Sequence, residues 1–133
     1  EASERNTGTT RILMAAGKYD ITIEQGATFT LNLSYKDSAG AVVDLSSSYT
    51  GRMKVRESTG GTIIASTESG DSPKNTLSIA LAASGNNIIV TMTAANTAAL
   101  DFDNAVYDLE LVAGAAVDRI IEGRVYLSKE ITV

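Results

Sequence analysis

Four oxygen-bearing residues fall close together late in the chain: Asp101, Asp103, Asn104 and Asp108. Carboxylates and amide oxygens suit a hard cation, so Asp101, Asp103 and Asp108 are a weak candidate for holding Ca2+. The ligand order of an EF-hand is absent, and the competing reading is a turn ending a short helix, with Asp108 on the solvent face of a strand. Apart from that candidate no metal ligand and no cofactor is expected. A carboxylate pair could also hydrolyse glycosides, but sugar sites generally want aromatic platforms. The chain has 5 Tyr, 2 Phe and no Trp, which leaves Tyr49 and Tyr126 as the candidates for exposed platforms.

The hydroxyls of Ser46, Ser47 and Ser48 have no histidine to activate them anywhere in the chain, which removes a serine triad. The absence of both His and Cys also removes the usual near-neutral acid–base group, the thiol nucleophile, most zinc ligands and any disulfide framework. Gly26 in "EQGAT" could be imagined cradling a phosphate, but such loops carry several glycines and lead into a helix. Here "FTLNLSY" follows, a strand pattern, so the glycine reads as part of a turn. These exclusions together point to a protein that is not an enzyme.

Basic residues give the other candidate. In "TGRMKVR" a strand that buries Met53 and Val55 would turn Arg52, Lys54 and Arg56 outward. Asp108 and Glu110 would face outward from their own strand in the same way. If the two strands are neighbours, the charges pair across the sheet; otherwise the basic row is an interaction face. Arg119 and Arg124, close to Glu122, admit the same two explanations. With 16 acidic against 11 basic residues and a formal charge of −5, a nucleic-acid partner is not expected.

The elements that must position these residues follow a period of two. Tyr19, Ile21 and Ile23 form one face; Phe29, Leu31, Leu33 and Tyr35 form the next, after the bend at "EQGAT". "DSAG" (37–40) has turn chemistry, and Val42, Val43 and Leu45 give a short apolar return. "STGG" should turn the basic strand into a hairpin partner at "TIIAST". Leu77, Ile79 and Leu81 alternate, then "IIVTM" follows. "TAANTAAL" is the one helical candidate, with Thr93 as its cap. The stretch from Val106 to Val112 alternates, and the last run, "DRIIEGRVYLSKEITV", is long enough to bend or bulge at Gly123.

About seven to eight strands with regular turn signals argue for an all-β, antiparallel sandwich with one short helix. The chain of 133 residues suffices for one core, with residues 1–18 as an extended N-terminal arm and 19–133 as the sandwich domain. Residues 1–13 are either a natural arm or an addition ahead of a start at Met14. The arm, through Arg5, Arg11, Ile12 and Leu13, is expected to lie on a neighbouring subunit, since sheet edges accept extended segments. No window approaches the ~18 apolar residues of a membrane-spanning helix, so no membrane partner is expected.

The segment "DNAVY" followed by "DLEL" resembles the tyrosine corner of immunoglobulin-like sandwiches. Asp103 would open it, and the Tyr107 hydroxyl would bond back to the backbone ahead of its strand. Leu109 stands where such domains often carry cysteine. Across residues 19–133 the order "YDITIEQGATFTLNLSYKDSAGAVVDL", "YTGRMKVR", "TAANTAALDFDNAVYDLEL" and "RIIEGRVYLSKEITV" resembles small immunoglobulin-like virion proteins of tailed bacteriophages. It is similar in particular to the N-terminal domain of upper baseplate proteins. That resemblance implies a non-enzymatic tail or baseplate component, assembled in the host cytoplasm into the virion, whose partners are other virion proteins and copies of itself. Two alternatives stand beside it: a capsid decoration protein of the same fold, and a carbohydrate-binding module for a host-surface glycan.

Overall fold

The computed structural model describes residues 4–5, 10–13, 17–71 and 76–131, the first two segments by their backbone alone. The loop around the only proline therefore lies mostly outside the described residues, as do the side chains of Arg5, Arg11, Ile12 and Leu13. No helix among the described residues is long and apolar enough to cross a membrane.

In chain order the strands are β1 (Glu4–Arg5), β2 (Thr10–Leu13), β3 (Gly17–Lys18), β4 (Ile21–Glu24), β5 (Phe29–Tyr35), β6 (Thr50–Arg56), β7 (Ile63–Ser66), β8 (Ser78–Leu81) and β9 (Ile88–Met92). The short helix α1 (Ala94–Ala98) then leads to the long hairpin of β10 (Asn104–Ala113) and β11 (Ala116–Ser128). They form two sheets. The larger has the order β1-β4-β11-β10-β6-β7, with β3 also on β11, and the smaller has the order β2-β5-β9-β8. The order β5-β9-β8 opposite β11-β10-β6-β7 is that of strands B, E, D and G, F, C, C′ of an immunoglobulin-like sandwich. The all-β sandwich with one short helix that alternation demanded is the architecture observed.

Period-two burial explains the layers. Phe29, Leu31 and Leu33 of β5, Ile88, Val90 and Met92 of β9, Met53 and Val55 of β6, and Ala105, Tyr107, Leu109 and Leu111 of β10 are all buried in one core. Their alternating neighbours face out, as a strand with one wet face requires. Gly60, Gly85 and Gly114 take positive φ in the three hairpin turns. "DSAG" turns with Gly40 N–H donating to Asp37 O at 2.9 Å, while the Asp37 carboxylate accepts from Ala39 and Ala41 N–H. The apolar return after it makes only an isolated bridge, Val42 to Lys36, although Leu45 is buried.

The bend at "EQGAT" carries the chain from the larger sheet into the smaller one. Gly26 adopts φ 86°, and a side chain there would collide with the Glu130 carboxylate. Thr97 of α1 clasps the bend: its buried hydroxyl accepts from Gly26 N–H at 3.0 Å and lies 2.8 Å from Ala27 O. The Gln25 side chain donates to Leu100 O and accepts from Glu130 N–H, both at 2.8 Å. The helix is capped by Thr93, whose hydroxyl accepts from Asn96 N–H. Its work is to hold this crossing, which a helix of five residues could not do without tertiary support.

The described strands within residues 1–18 do not stand apart from the sandwich. By backbone register β1 lies parallel to β4 (Glu4 with Ile21), β2 lies parallel to β5 (Thr10 to Leu13 with Asn32 to Tyr35), and β3 lies parallel to β11. Thus the segment carrying Arg5, Arg11, Ile12 and Leu13, expected on a neighbour, pairs with edges of its own chain. The physical attraction is the one anticipated, free amides and carbonyls at a sheet edge.

Candidate functional site

The larger sheet turns a charged face to solvent, and strand register sets its pattern. On β6 the outward residues are Arg52, Lys54 and Arg56; on β10, directly beside them, Glu110, Asp108 and Val106 occupy the paired positions. On the far side of β10, β11 brings Arg119, Glu122 and Arg124 into register with the same three residues. The face is therefore three cross-strand rows: Arg52, Glu110 and Arg119; Lys54, Asp108 and Glu122; Arg56, Val106 and Arg124.

A β-bulge makes this possible. Strict alternation would put Arg119 on the opposite side of β11 from Glu122 and Arg124. The register shifts between Leu109 and Glu110, where Ile120 is the extra residue on β11, and both Ile120 and Ile121 are buried. One added residue flips Arg119 to the outside. The bulge thus falls at Ile120, and the sequence-based expectation of Gly123 is corrected.

Gly123 serves a different end. Opposite it on β10 stands Tyr107, and a side chain at 123 would strike the backbone carbonyl of Tyr19. With no side chain there, Tyr19 O comes within 2.6 Å of the Tyr107 hydroxyl, which donates to it inside the core. This replaces the tyrosine corner expected from "DNAVY". The acceptor lies 88 positions away in the chain, between β3 and β4, and the backbone just ahead of β10 is not the acceptor. Asp103, assigned to that corner, instead points its carboxylate to Lys129 at 3.3 Å. The pairing of β3 and then β4 with β11 is interrupted here, and Asp20 compensates by accepting Arg124 N–H at 2.9 Å.

Most charges on the face neutralise one another. Arg52 Nε lies 2.7 Å from Glu110, Lys54 lies 3.0 Å from Asp71, Arg119 lies 3.3 Å from Asp108 and 3.4 Å from Glu122, and Lys18 lies 3.6 Å from Glu122. Of the two readings of the basic row, cross-strand and local pairing describes Arg52 and Lys54. Arg56 and Arg124 differ: neither has a carboxylate partner among the described residues. Arg56 instead donates Nη1–H to Gly61 O at 2.7 Å, which fixes its guanidinium against the β6–β7 turn.

The turn on one side and Lys18 on the other raise the rim of a groove of about 640 Å3 over this face. Six of the 11 basic residues line it, against three carboxylates, in a chain whose overall charge is −5. Burial, with help from Glu110, raises the carboxyl pKa of Asp108 above the ordinary Asp value, and Arg119 opposes that shift. Asp71 goes the other way: the Ser66 hydroxyl, donating at 2.6 Å, and then Lys54 hold its pKa down.

The calcium candidate is not assembled. Asp101 and Asp103 meet at Lys129, with their side chains 90% and 87% exposed, while Asp108 belongs to the pairs on the sheet face. A cation of the chain already occupies the first two carboxylates. Among the described residues no group of three or more His, Cys, Asp or Glu is placed to hold a metal ion. The sugar platforms fare similarly: Tyr49 packs against the core and Tyr126 is half-buried, so neither is the exposed ring expected. Ser46 donates its hydroxyl to Asp44 at 2.6 Å in an exposed turn. No protein-family model matches the chain, and no curated protein matches it either.

Proposed function

We propose that this chain is a non-enzymatic structural protein of a tailed-bacteriophage virion, a tail or baseplate component that acts through protein–protein contacts. One observation carries the contact reading: a groove of about 640 Å3 lies over a broad, charge-patterned sheet face. Its ionisable groups are mostly tied into pairs, and none is set up as a nucleophile beside a base. Ordered charge rows on a rigid sheet give register and partner choice more than they give chemistry. The phage assignment rests on the order of sequence segments that resembles small immunoglobulin-like virion proteins, together with the sandwich those segments form.

In this reading the chain is incorporated with other virion proteins and copies of itself, and many modest contacts add through multivalency. The test is its location in a reconstructed particle. Density for the sandwich in the tail or baseplate is the expected result. Density on the head shell would convert the reading to capsid decoration, and absence from purified particles would overturn the virion assignment.

A further inference from the structure

We propose that Arg56 and Arg124 form a two-arginine clamp, floored by Val106, that takes an Asp or Glu side chain from an extended segment of a partner protein. The inference rests on the contact reading above and gives that contact its chemistry. Arg56 pairs in register with Val106, and Val106 pairs in register with Arg124, so the three residues form one row across β6, β10 and β11. The two arginine Cα atoms are two strand spacings apart, ~10 Å, and long side chains can converge over the residue between them.

This row differs from the other two in having no carboxylate. The remaining groove cations, Lys18, Arg52, Lys54 and Arg119, each lie within 4 Å of Glu122, Glu110, Asp71 or Asp108. Arg56 and Arg124 are therefore the groove cations with no carboxylate within ion-pair distance among the described residues, although the charge of Arg56 also helps to hold down the pKa of Asp71. Arg56 is already oriented by its bond to Gly61 O, which uses one guanidinium nitrogen and leaves other N–H groups to donate. The strand beneath Arg124 is pinned by the bond from its N–H to Asp20. Val106, half-buried, supplies an apolar floor, against which a charge-assisted, forked hydrogen bond is less exposed to competing water.

The rows beside the clamp choose the class of ligand. Asp108, Glu110 and Glu122 lie within two residues of the clamp row or beyond it on the same face, so a polyanion laid along the strands would meet carboxylates after its first contact. A single carboxylate flanked by uncharged residues meets none. That pattern fits an isolated Asp or Glu in an extended peptide and disfavours a phosphate backbone.

The test is an NMR titration of the whole chain, following backbone and arginine side-chain 15N signals. The probe is the peptide acetyl-Thr-Val-Glu-Val-Thr-amide, compared with its Glu→Gln twin and with inorganic phosphate. The clamp requires saturable shifts centred on Arg56, Val106 and Arg124 with the Glu peptide, and binding about tenfold weaker for the Gln peptide. Arg56→Gln and Arg124→Gln should each weaken the Glu peptide about tenfold, while Arg52→Gln, with the same change in net charge, should alter it less than about threefold. Arg56→Lys keeps the charge without the fork and should fall between them.

Equal binding of the Glu and Gln peptides overturns the clamp. So does Arg52→Gln weakening binding as much as Arg56→Gln, which would mean a diffuse field. Phosphate binding more tightly than the Glu peptide at the same residues overturns the assignment of a protein partner. All four substitutions are on a solvent-facing side of the sheet, and thermal unfolding of each variant confirms that it is folded. These outcomes are independent of where the chain is found in a particle, so failure of the clamp and failure of the virion reading are separate results.

Discussion

The two outer faces of the sandwich are built on the same alternation and carry opposite chemistry. On the larger sheet the three central cross-strand rows of β6, β10 and β11 hold eight charged residues and one valine at their outward positions. On the smaller sheet the outward positions are Thr30 and Asn32 on β5, Thr91 and Ile89 on β9, and Ser78 and Ala80 on β8, with no charge among them. Both faces satisfy the requirement for one wet side. The difference shows that the fold needs only polarity outside, so the placement of charge is free to serve recognition. It also separates two kinds of support: the charged face depends on a bulge and a close backbone approach, whereas the neutral sheet is tied at its end by one buried side chain.

That side chain, Asn87, gives the largest expected effect. Fully buried, it accepts from Tyr35 N–H at 2.7 Å and donates to Tyr35 O at 3.0 Å and Val43 O at 2.7 Å. Asn87→Ala leaves these groups without partners and should lower the unfolding free energy in urea by about 3 kcal/mol. A loss below about 1 kcal/mol would mean that the neutral sheet is held elsewhere.

Next is Gly123→Ala, which tests the support of the charged face. The new methyl group must push away the Tyr19 carbonyl, break its bond from Tyr107 and disturb the segment bearing Lys18. A destabilisation of about 2 kcal/mol is expected, read by urea unfolding, with the loss of Tyr107 hydroxyl protection from exchange. A neutral outcome would show that the approach of Tyr19 is incidental.

Smaller again is the pairing on the face itself. A double-mutant cycle on Arg52 and Glu110 should give a coupling of about 0.5 kcal/mol, falling at high salt, because both side chains remain partly solvated. The equivalent cycle on Thr30 and Thr91 should be insensitive to salt.

The last prediction concerns pH. The pKa of Asp71 is depressed in the folded state, so its contribution to stability is complete above the unfolded carboxylate value and disappears as pH falls through the folded one. Asp71→Asn should therefore cost stability at neutral pH and nothing in strong acid, as read from urea midpoints across an acid series. A constant difference at all pH values would remove the charge from the explanation.

Much of this was legible in the sequence because single-face burial leaves a period-two signature. Arg52, Lys54 and Arg56 outside Met53 and Val55, and Asp108 and Glu110 outside Tyr107, Leu109 and Leu111, follow from that rule alone. Turns with Gly or Asp at the position that needs them were equally plain. What stayed hidden depends on partners far along the chain. Asn87 looked like one more turn residue in "AASGNN", yet its partners are 44 and 52 positions away. Thr97 looked like filler in an alanine-rich helix, yet it clasps the bend at Gly26.

The bulge was obscured for another reason. Ile120 and Ile121 are both apolar, so alternation assigns neither one inward by itself, and glycine drew attention to position 123. Only the pairing of Glu110 with Arg119 shows which residue is extra. The clamp row was half visible: Arg56 and Arg124 were both noted, but that they share one row became apparent only from the order of β6, β10 and β11.

The parallel pairing of β4 with β11 has a mechanical meaning. Ile21 to Glu24 run in the same direction as Val125 to Ser128, side by side. Tension that pulled the N-terminal side of β4 away from the C-terminal side of β11 would run along both strands in opposite senses. Every hydrogen bond of that ladder would then share the load in shear, and none could open first as in a zipper. In single-molecule stretching, force applied at Asp20 and Ser128 should meet a sharp rupture, while force applied across β10 and β11 at their open end should peel the hairpin at a lower load.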